Sequence, residues 1–271
     1  MSLNLNSKTQ LNNGTEIPNL GLGVYQTPPG EMTFQAAKYA LSIGYRHIDT
    51  AKLYGNEDDV GRAIMSSGIP RDEIFVTTKV WNSDQGYDLT LRAIECSLRR
   101  LNLAYVDLYL IHWPVQGKTA ETWKAMVRIL KEGKSRAIGV SNYQICELQE
   151  TMKASDIVPA INQVEFHPFL YQKNLLRFCE NNKIHVVAYS PLTRGRRLDH
   201  KTIEMVSKKY GRTPAQILIR WSLQHGLGVI PKSSRLDRIF ENSRVFDFQI
   251  EEDDMKMLDS LNENLRTVFL N

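Results

Sequence analysis

Four side chains that together can move a proton are spaced along the first half of the chain, each at or just beyond the end of a short apolar run. These residues are Asp49, Tyr54, Lys79 and His112. A free tyrosine has a pKa of about 10 and is a poor acid at neutral pH, but a neighbouring ammonium lowers that pKa. Lys79 can supply this charge, and Asp49 can hold Lys79 in an ion pair. We therefore predict a general-acid site in which Tyr54 donates the proton and His112 orients a carbonyl oxygen.

Each of the four residues also has an ordinary structural explanation. Tyr54 alone is typical of a surface tyrosine, and Asp49 can cap a helix. His112 lies in the apolar run Leu110-Ile111-His112-Trp113-Pro114, where a histidine is commonly a hydrogen-bonded core residue. Because all four explanations would have to hold at once, the joint pattern favours a catalytic set.

Polar residues also end the apolar runs of the second half of the chain. These residues are Ser141, Asn142, Gln163, Glu165, Tyr189, Ser190, Lys232 and Ser233. A single polar strand end is common, but such a succession is hard to obtain from core packing alone. In an α/β barrel the chemistry lies where strands end. The pattern therefore predicts one polar site at the mouth of a barrel.

The elements that position these residues alternate between short β-branched runs and longer amphipathic runs. We predict eight strands, at residues 20–24, 47–50, 74–80, 106–113, 136–141, 160–166, 185–190 and 228–231. Helices are predicted at about 32–43, 56–67, 87–101, 119–132, 145–154, 172–181, 199–224 (broken at Gly211 and Pro214), 236–243 and 251–261. Eight β/α units predict an α/β fold, a closed (β/α)8 TIM barrel with extra C-terminal helices, as a single domain over residues 1–271.

An N-terminal β-hairpin is predicted at residues 10–17, because Asn13-Gly14 lies between flanking apolar residues. We expect this hairpin at the base of the barrel. The alternative fold is an open doubly wound sheet, which usually carries G-x-G-x-x-G after its first strand. Here Gly21-Leu22-Gly23 has no third glycine in place, and the chain contains no phosphate-binding P-loop. The barrel is therefore favoured.

Charge, apolar run length and cysteine spacing indicate which partners and which cellular compartment to expect. The 34 basic and 30 acidic side chains give a formal charge of +4, and no run of like charges is typical of nucleic-acid binding. A local basic cluster that binds an anionic small molecule explains the small excess of positive charge better than nucleic-acid binding does. No segment approaches the ~18 apolar residues of a membrane span, and the N-terminus has no signal-peptide core. Cys96, Cys146 and Cys179 are widely spaced, as in a reducing compartment. We expect a cytoplasmic monomer without nucleic-acid or membrane partners.

Three motifs, in this order, resemble the aldo-keto reductase family. They are Gly44-Tyr45-Arg46-His47-Ile48-Asp49-Thr50-Ala51 with Tyr54-Gly55-Asn56-Glu57, then Val106-Asp107-Leu108-Tyr109-Leu110-Ile111-His112-Trp113-Pro114, and Ile230-Pro231-Lys232-Ser233. The resemblance covers nearly the whole chain and implies a barrel that reduces aldehydes or ketones to alcohols with NADPH. By this similarity Asp49, Tyr54, Lys79 and His112 match the family's catalytic tetrad, with Tyr54 as proton donor. Within the family the chain is similar to small microbial reductases, which resemble 2,5-diketo-gluconate reductases and prostaglandin F synthases.

The resemblance also implies a cofactor site. Ser141, Asn142 and Gln163 match positions that bind the nicotinamide carboxamide, which needs both donors and acceptors. Tyr189 matches the ring that stacks on the nicotinamide. The remaining cofactor positions are Ser190, Leu192 and Gly195 over the pyrophosphate, Lys232, Ser233 and Arg238 at the adenosine 2′-phosphate, and Glu241 and Asn242 near the adenine. The substrate pocket is matched by Tyr25, Trp81, His112 and Trp113.

The chain departs from the family pattern in its loops. Thr193 replaces a glycine of the pyrophosphate loop, and the arginines Arg194, Arg196 and Arg197 follow it. The loop at 115–119 and the tail beyond Asn264 are short, and both segments wall the substrate pocket in the family. An open pocket that accepts small aldehydes, dicarbonyls or keto-sugars is therefore expected.

Local charge predicts NADPH over NADH. Lys232, Ser233, Arg235 and Arg238 lie close together after a strand end, where a ribose phosphate would need cations and donors. Two alternatives stay open. One is a regulatory subunit that binds NADP(H) and senses redox state with little catalysis. The other is a metal-dependent barrel using His47, His112 and His167, although no carboxylate cluster accompanies these histidines and no metal site is expected.

Overall fold

The computed structural model describes residues 4–269, in which strands and helices alternate. Two short strands, β1 (Lys8–Gln10) and β2 (Glu16–Pro18), form an antiparallel hairpin. Eight further strands form one parallel sheet. They are β3 (Leu22–Gly23), β4 (His47–Asp49), β5 (Phe75–Val80), β6 (Val106–Ile111), β7 (Ser135–Ser141), β8 (Ile161–Glu165), β9 (His185–Tyr189) and β10 (Gly228–Val229).

The sheet closes on itself. Its strands are paired in chain order from β3 to β10, and isolated bridges join Leu20 to Val229 and Gly23 to Lys232. The amide of Gly21 donates to the Val229 carbonyl at 2.9 Å, and the amide of Val229 donates to the Asn19 carbonyl at 2.8 Å. The predicted (β/α)8 barrel is confirmed.

Ten helices of the described chain surround the barrel and extend it towards the C-terminus. They are α1 (Glu31–Ser42), α2 (Glu57–Ser66), α3 (Tyr87–Leu101), α4 (Thr119–Lys131), α5 (Ile145–Lys153), α6 (Lys173–Asn181), α7 (Lys201–Tyr210), α8 (Pro214–Gln224), α9 (Leu236–Ser243) and α10 (Glu252–Asp259). The predicted break within 199–224 is present. Gly211 ends α7 at φ 60°, and the Thr213 side chain caps α8, which starts at Pro214.

Several predicted strands are longer than the observed ones. The run 106–113 ends at Ile111 as a strand, and the run 228–231 ends at Val229. In both cases a proline follows within a few residues, and proline has no amide to donate to a neighbouring strand. The polar residues after these strands therefore lie on the loops at the barrel mouth.

Apolar residues form two layers. One cluster fills the barrel, and the larger cluster packs between the sheet and the helices. The hairpin contributes Leu11 and Ile17 to the interior cluster. The Asn13 side chain donates to the Arg136 carbonyl at 2.9 Å, next to the start of β7. The hairpin thus covers the base of the barrel, as predicted, and leaves the opposite end for the site.

No helix between residues 4 and 269 is both long and apolar enough to cross a membrane.

Candidate active site

The four predicted proton-transfer residues meet at the carboxyl ends of adjacent strands. Asp49 ends β4, Lys79 lies near the end of β5, and His112 follows β6. The Lys79 ammonium donates to Asp49 Oδ1 at 2.5 Å and to the Tyr54 hydroxyl at 3.4 Å. Lys79 is fully buried, so this ion pair is shielded from water. The arrangement supplies a phenol next to a fixed positive charge.

A short 3-10 turn after β4, Lys52–Tyr54, carries the phenol. Gly55 ends the turn at φ 66°, a conformation that glycine adopts without strain. The buried side chain of Asn56 then holds the turn in place. Its oxygen accepts from the Thr50 hydroxyl at 2.8 Å, and its nitrogen donates to the Val24 carbonyl at 3.1 Å. The sequence Tyr54-Gly55-Asn56 therefore orients the Tyr54 hydroxyl towards Lys79.

The structure reverses the expected direction of the Tyr54 pKa. Burial of the phenol raises the pKa well above its ordinary value, and the carboxylate of Asp49 raises it further. The ammonium of Lys79, 3.4 Å from the hydroxyl, does not reverse this direction, since burial is the largest cause. Tyr54 therefore keeps its proton at neutral pH.

Burial also lowers the pKa values of Lys79 and His112. Burial lowers the pKa of Lys79, whereas the charge of Asp49 and its hydrogen bond act in the opposite direction. Burial, and secondly the charge of Lys79, hold the pKa of His112 well below its usual range. The imidazole is therefore neutral at neutral pH. Its ring packs edge-on against Tyr54 and Trp81, with ring centroids 5.6 and 5.1 Å away.

Next around the barrel, β7, β8 and β9 end in hydrogen-bonding side chains. The side-chain nitrogen of Asn142 donates to the Ser141 hydroxyl at 3.0 Å, and its side-chain oxygen accepts from the Tyr189 hydroxyl at 2.7 Å. The amide nitrogen of Gln163 donates to Asp49 at 2.7 Å. The Gln163 oxygen makes no hydrogen bond within residues 4–269 and is not sealed from solvent. It can accept from an amide placed in the cavity.

The loop after β9 is backbone-strained. Ser190, Thr193 and Arg194 adopt φ 49°, 51° and 54°, and Gly195 follows at 81°. Left-handed φ is costly for a β-branched residue such as Thr193. The buried Thr193 hydroxyl offsets part of this cost by accepting from the Arg197 amide at 3.2 Å. A threonine is therefore held in the backbone conformation that the family's glycine suits.

The three arginines of this loop point in different directions. Arg194 lines the cavity and donates to Gln26 at 2.6 Å. Arg197 instead pairs with Glu263 at 2.7 Å. Arg196 is exposed and makes no ion pair within the described residues. The basic stretch thus brings one cation to the cavity.

Cations gather where β10 ends. Lys232, Ser233 and Arg238 line the cavity, and Ser233 accepts from the Arg235 amide at 3.1 Å at the start of α9. Arg235 itself turns away from the cavity and pairs with Asp237 at 2.6 Å. Arg235, which the sequence groups with these residues, therefore lies outside the cavity wall.

One cavity of about 840 Å³ joins these groups. Its wall contains every predicted cofactor residue, including Leu192, Gly195, Glu241 and Asn242, and the predicted substrate residues Tyr25, Trp81, His112 and Trp113. Lys79 is absent from the wall because it lies behind Asp49 and Tyr54. The size is within the usual range for ligand pockets.

Several residues of this wall were not predicted from the sequence, namely Gln26, Leu53, Leu198, Val268 and Phe269. All lie on loops or in the tail, where no periodic pattern points to them. The tail was expected to be short and to leave the pocket open, yet Val268 and Phe269 reach the cavity. In residues 4–269 no group of three or more His, Cys, Asp or Glu side chains is placed to hold a metal ion.

A closed barrel with a buried lysine–carboxylate pair at its mouth, and with one cavity that also reaches cationic side chains, is typical of an α/β-barrel enzyme with an organic ligand. The sequence model of the Aldo/keto reductase family matches residues 19–263. The chain belongs to this family.

Relatives agree with this assignment. The chain is 51% identical over 270 residues to the uncharacterized oxidoreductase YtbE of Bacillus subtilis, covering 98% of this chain and 96% of the relative. It is 47% identical over 266 residues to glyoxal reductase of the same organism, covering 98% and 96%. The crystal structure of a Bombyx mori aldo-keto reductase in complex with NADP superposes with a TM-score of 0.92 at 35% identity, covering 99% and 96%.

Proposed function

We propose that this protein is an NADPH-dependent reductase that converts aldehydes and ketones to alcohols, with Tyr54 as the proton donor. The observation that carries the proposal is the hydrogen-bonded set of Asp49, Lys79 and Tyr54 at a cavity that is also lined by Lys232 and Arg238.

The cavity suits a nicotinamide dinucleotide at both ends. Near Tyr54, the oxygen of Gln163 and the side chains of Ser141 and Asn142 offer the acceptors and donors that a carboxamide needs. At the other end, Lys232 and Arg238 supply charge for a ribose phosphate. NADPH, when bound, supplies a hydride to the carbonyl carbon.

The chain's own residues handle the proton. The neutral His112 ring borders the cavity next to Tyr54 and can donate a hydrogen bond to the carbonyl oxygen. Tyr54, which is protonated at neutral pH, transfers its proton to that oxygen as the alcohol forms. The resulting phenolate then faces the Lys79 ammonium, whose nitrogen lies 3.4 Å from the tyrosine oxygen. By donating to this oxygen, the Lys79 ammonium stabilises the state that follows proton transfer.

Substrates are proposed to be small carbonyl compounds, including dicarbonyls and keto-sugars. The pocket end is lined by Tyr25, Trp81 and Trp113, which offer apolar faces and few charges. The relative named glyoxal reductase supports dicarbonyls as a first choice.

The test is a panel of aldehydes, ketones, dicarbonyls and keto-sugars, with loss of NADPH absorbance as the readout. We expect turnover of several small members, with KM within the usual ~1 μM to 1 mM. NADPH binding without turnover of any member would overturn the proposal and support the redox-sensing alternative instead.

We further propose that residues 1–271 act as one domain and as a monomer. The hairpin at one end of the chain and the tail at the other both contact the barrel. A single cooperative unfolding transition and a monomeric mass by light scattering are the expected results.

A further inference from the structure

Glu165 is a buried carboxylate that the proposed reaction does not use. It lies on β8 two residues beyond Gln163, and 1% of its surface is exposed. It accepts hydrogen bonds from the Thr267 amide at 2.8 Å, the Thr267 hydroxyl at 2.5 Å and the Val268 amide at 3.2 Å, and it contacts His167 Nε2 at 3.2 Å. Burial opposes its ionisation, but the bonds from His167 and Thr267 hold the pKa of Glu165 below its usual range. A charged group inside the barrel mouth therefore holds the C-terminal tail.

Thr267 is also held from the opposite side. Arg194 donates to the Thr267 carbonyl at 3.2 Å while it binds Gln26. Upstream, the amide of Leu265 donates to the Phe169 carbonyl at 2.9 Å. Residues 266–269 thus form a short strap between the fixed point at Leu265 and the cavity.

The strap brings apolar side chains to the cavity. Val268 and Phe269 directly follow the anchored threonine, and both line the cavity wall. Phe269 has 68% of its surface exposed, so its ring is not packed into the core. Both backbone amides that donate to Glu165, those of Thr267 and Val268, belong to residues 266–269. Loss of the carboxylate would therefore release Val268 and Phe269 from their positions in the cavity wall.

We propose that Glu165 is a positioning residue for substrate selection. By holding residues 266–269, it makes Val268 and Phe269 a wall for carbonyl substrates that carry an aromatic or branched group. Small dicarbonyls carry no such group to place against this wall. The inference rests on the proposed reductase function.

The experiment compares Glu165→Gln with the full-length wild-type enzyme. The replacement has the same shape and removes the charge, so no unpaired charge is buried. Thr267→Val, which deletes one of the three tail bonds, is the second variant. Glu263→Gln is the matched control, because this carboxylate also lies near the tail but bonds to Arg197 on the surface.

The first readout is tryptic cleavage after Arg266, followed by mass spectrometry. We expect cleavage to be faster in Glu165→Gln, intermediate in Thr267→Val and unchanged in Glu263→Gln. The second readout is kcat/KM for an aromatic aldehyde and for glyoxal. We expect Glu165→Gln to lose about tenfold for the aromatic aldehyde, through KM, with glyoxal changed less than about threefold. A tenfold loss equals about 1.4 kcal/mol, roughly 55 Å² of apolar contact at about 25 cal/mol per Å².

Three outcomes of the Glu165→Gln experiment overturn the inference. In the first, cleavage after Arg266 is no faster and selectivity is unchanged. In the second, both substrates lose activity equally. In the third, the tail is released without any change in selectivity. If wild-type enzyme reduces neither substrate, the proposed function fails, while the cleavage assay still reports whether Glu165 holds the tail.

Discussion

At the residue scale, Tyr54 and Lys79 differ in what their replacement does to the protein. Tyr54→Phe removes the phenolic proton and leaves the ring that packs on Tyr25 at a centroid distance of 5.0 Å. We expect turnover to fall by roughly 10²–10⁴, with NADPH affinity unchanged in a fluorescence titration. Tyr105→Phe, near the start of β6 and far from the cavity, should keep full activity. Near-normal turnover by Tyr54→Phe would contradict the role of Tyr54 as the proton donor.

Lys79→Met should abolish reduction, but it also affects stability. The side chain of Asp49 is 3% exposed and would lose its partner. An unpaired buried carboxylate costs about 3–5 kcal/mol. The double variant Asp49→Asn/Lys79→Met removes both charges, so it should recover most of that stability in urea denaturation and remain inactive. If the double variant is no more stable than Lys79→Met, the ion pair is not what the single change disrupts.

At the element scale, the packing of α2 against α3 depends on Gly61. Glycine to alanine in a helix interior usually stabilises by roughly 0.5–1 kcal/mol. Here an added Cβ would lie 2.2 Å from the backbone oxygen of Leu101, the last residue of α3. Because backbone cannot move aside as a side chain can, we expect Gly61→Ala to destabilise by about 1–3 kcal/mol.

Urea denaturation measures this effect. Ser66→Ala, at the exposed end of the same helix, is the control and should change stability by less than about 0.5 kcal/mol. A Gly61→Ala variant as stable as wild type would show that α2 can shift relative to α3. This helix follows Tyr54 directly, so such a shift would also affect the phenol.

At the scale of the whole molecule, cofactor choice requires the closed barrel. Gln163 lies on β8, whereas Lys232 and Arg238 follow β10, and both ends meet in one cavity. We expect NADPH to exceed NADH in kcat/KM by at least ~10-fold, about 1.4 kcal/mol.

Arg238→Ala should erode this preference by weakening NADPH use and leaving NADH use largely unchanged. Arg244→Ala, an exposed change at the end of the same helix and outside the cavity wall, is the control. Equal use of both cofactors by the wild-type enzyme would contradict a phosphate-reading role for this cluster.

The alternation of β-branched and amphipathic runs was sufficient to predict the barrel, because periodicity is a local property of the chain. Residue type at strand ends was sufficient to bring Asp49, Tyr54, Lys79 and His112 to one mouth, since parallel strands place their carboxyl ends together. The hairpin followed from Asn13-Gly14 in the same local way.

Other features were decided by the tertiary structure, because they depend on contacts between residues far apart in sequence. The direction of the Tyr54 pKa depends on burial of the phenol and on the nearby carboxylate of Asp49. Arg235 lies outside the cavity wall and pairs with Asp237 on the surface, whereas Arg194 lines the cavity from a strained backbone. The contact of Glu165 with Thr267 spans 102 residues, and no local pattern in either segment encodes it. Side-chain direction and burial, which set these contacts, exist only once the barrel has closed.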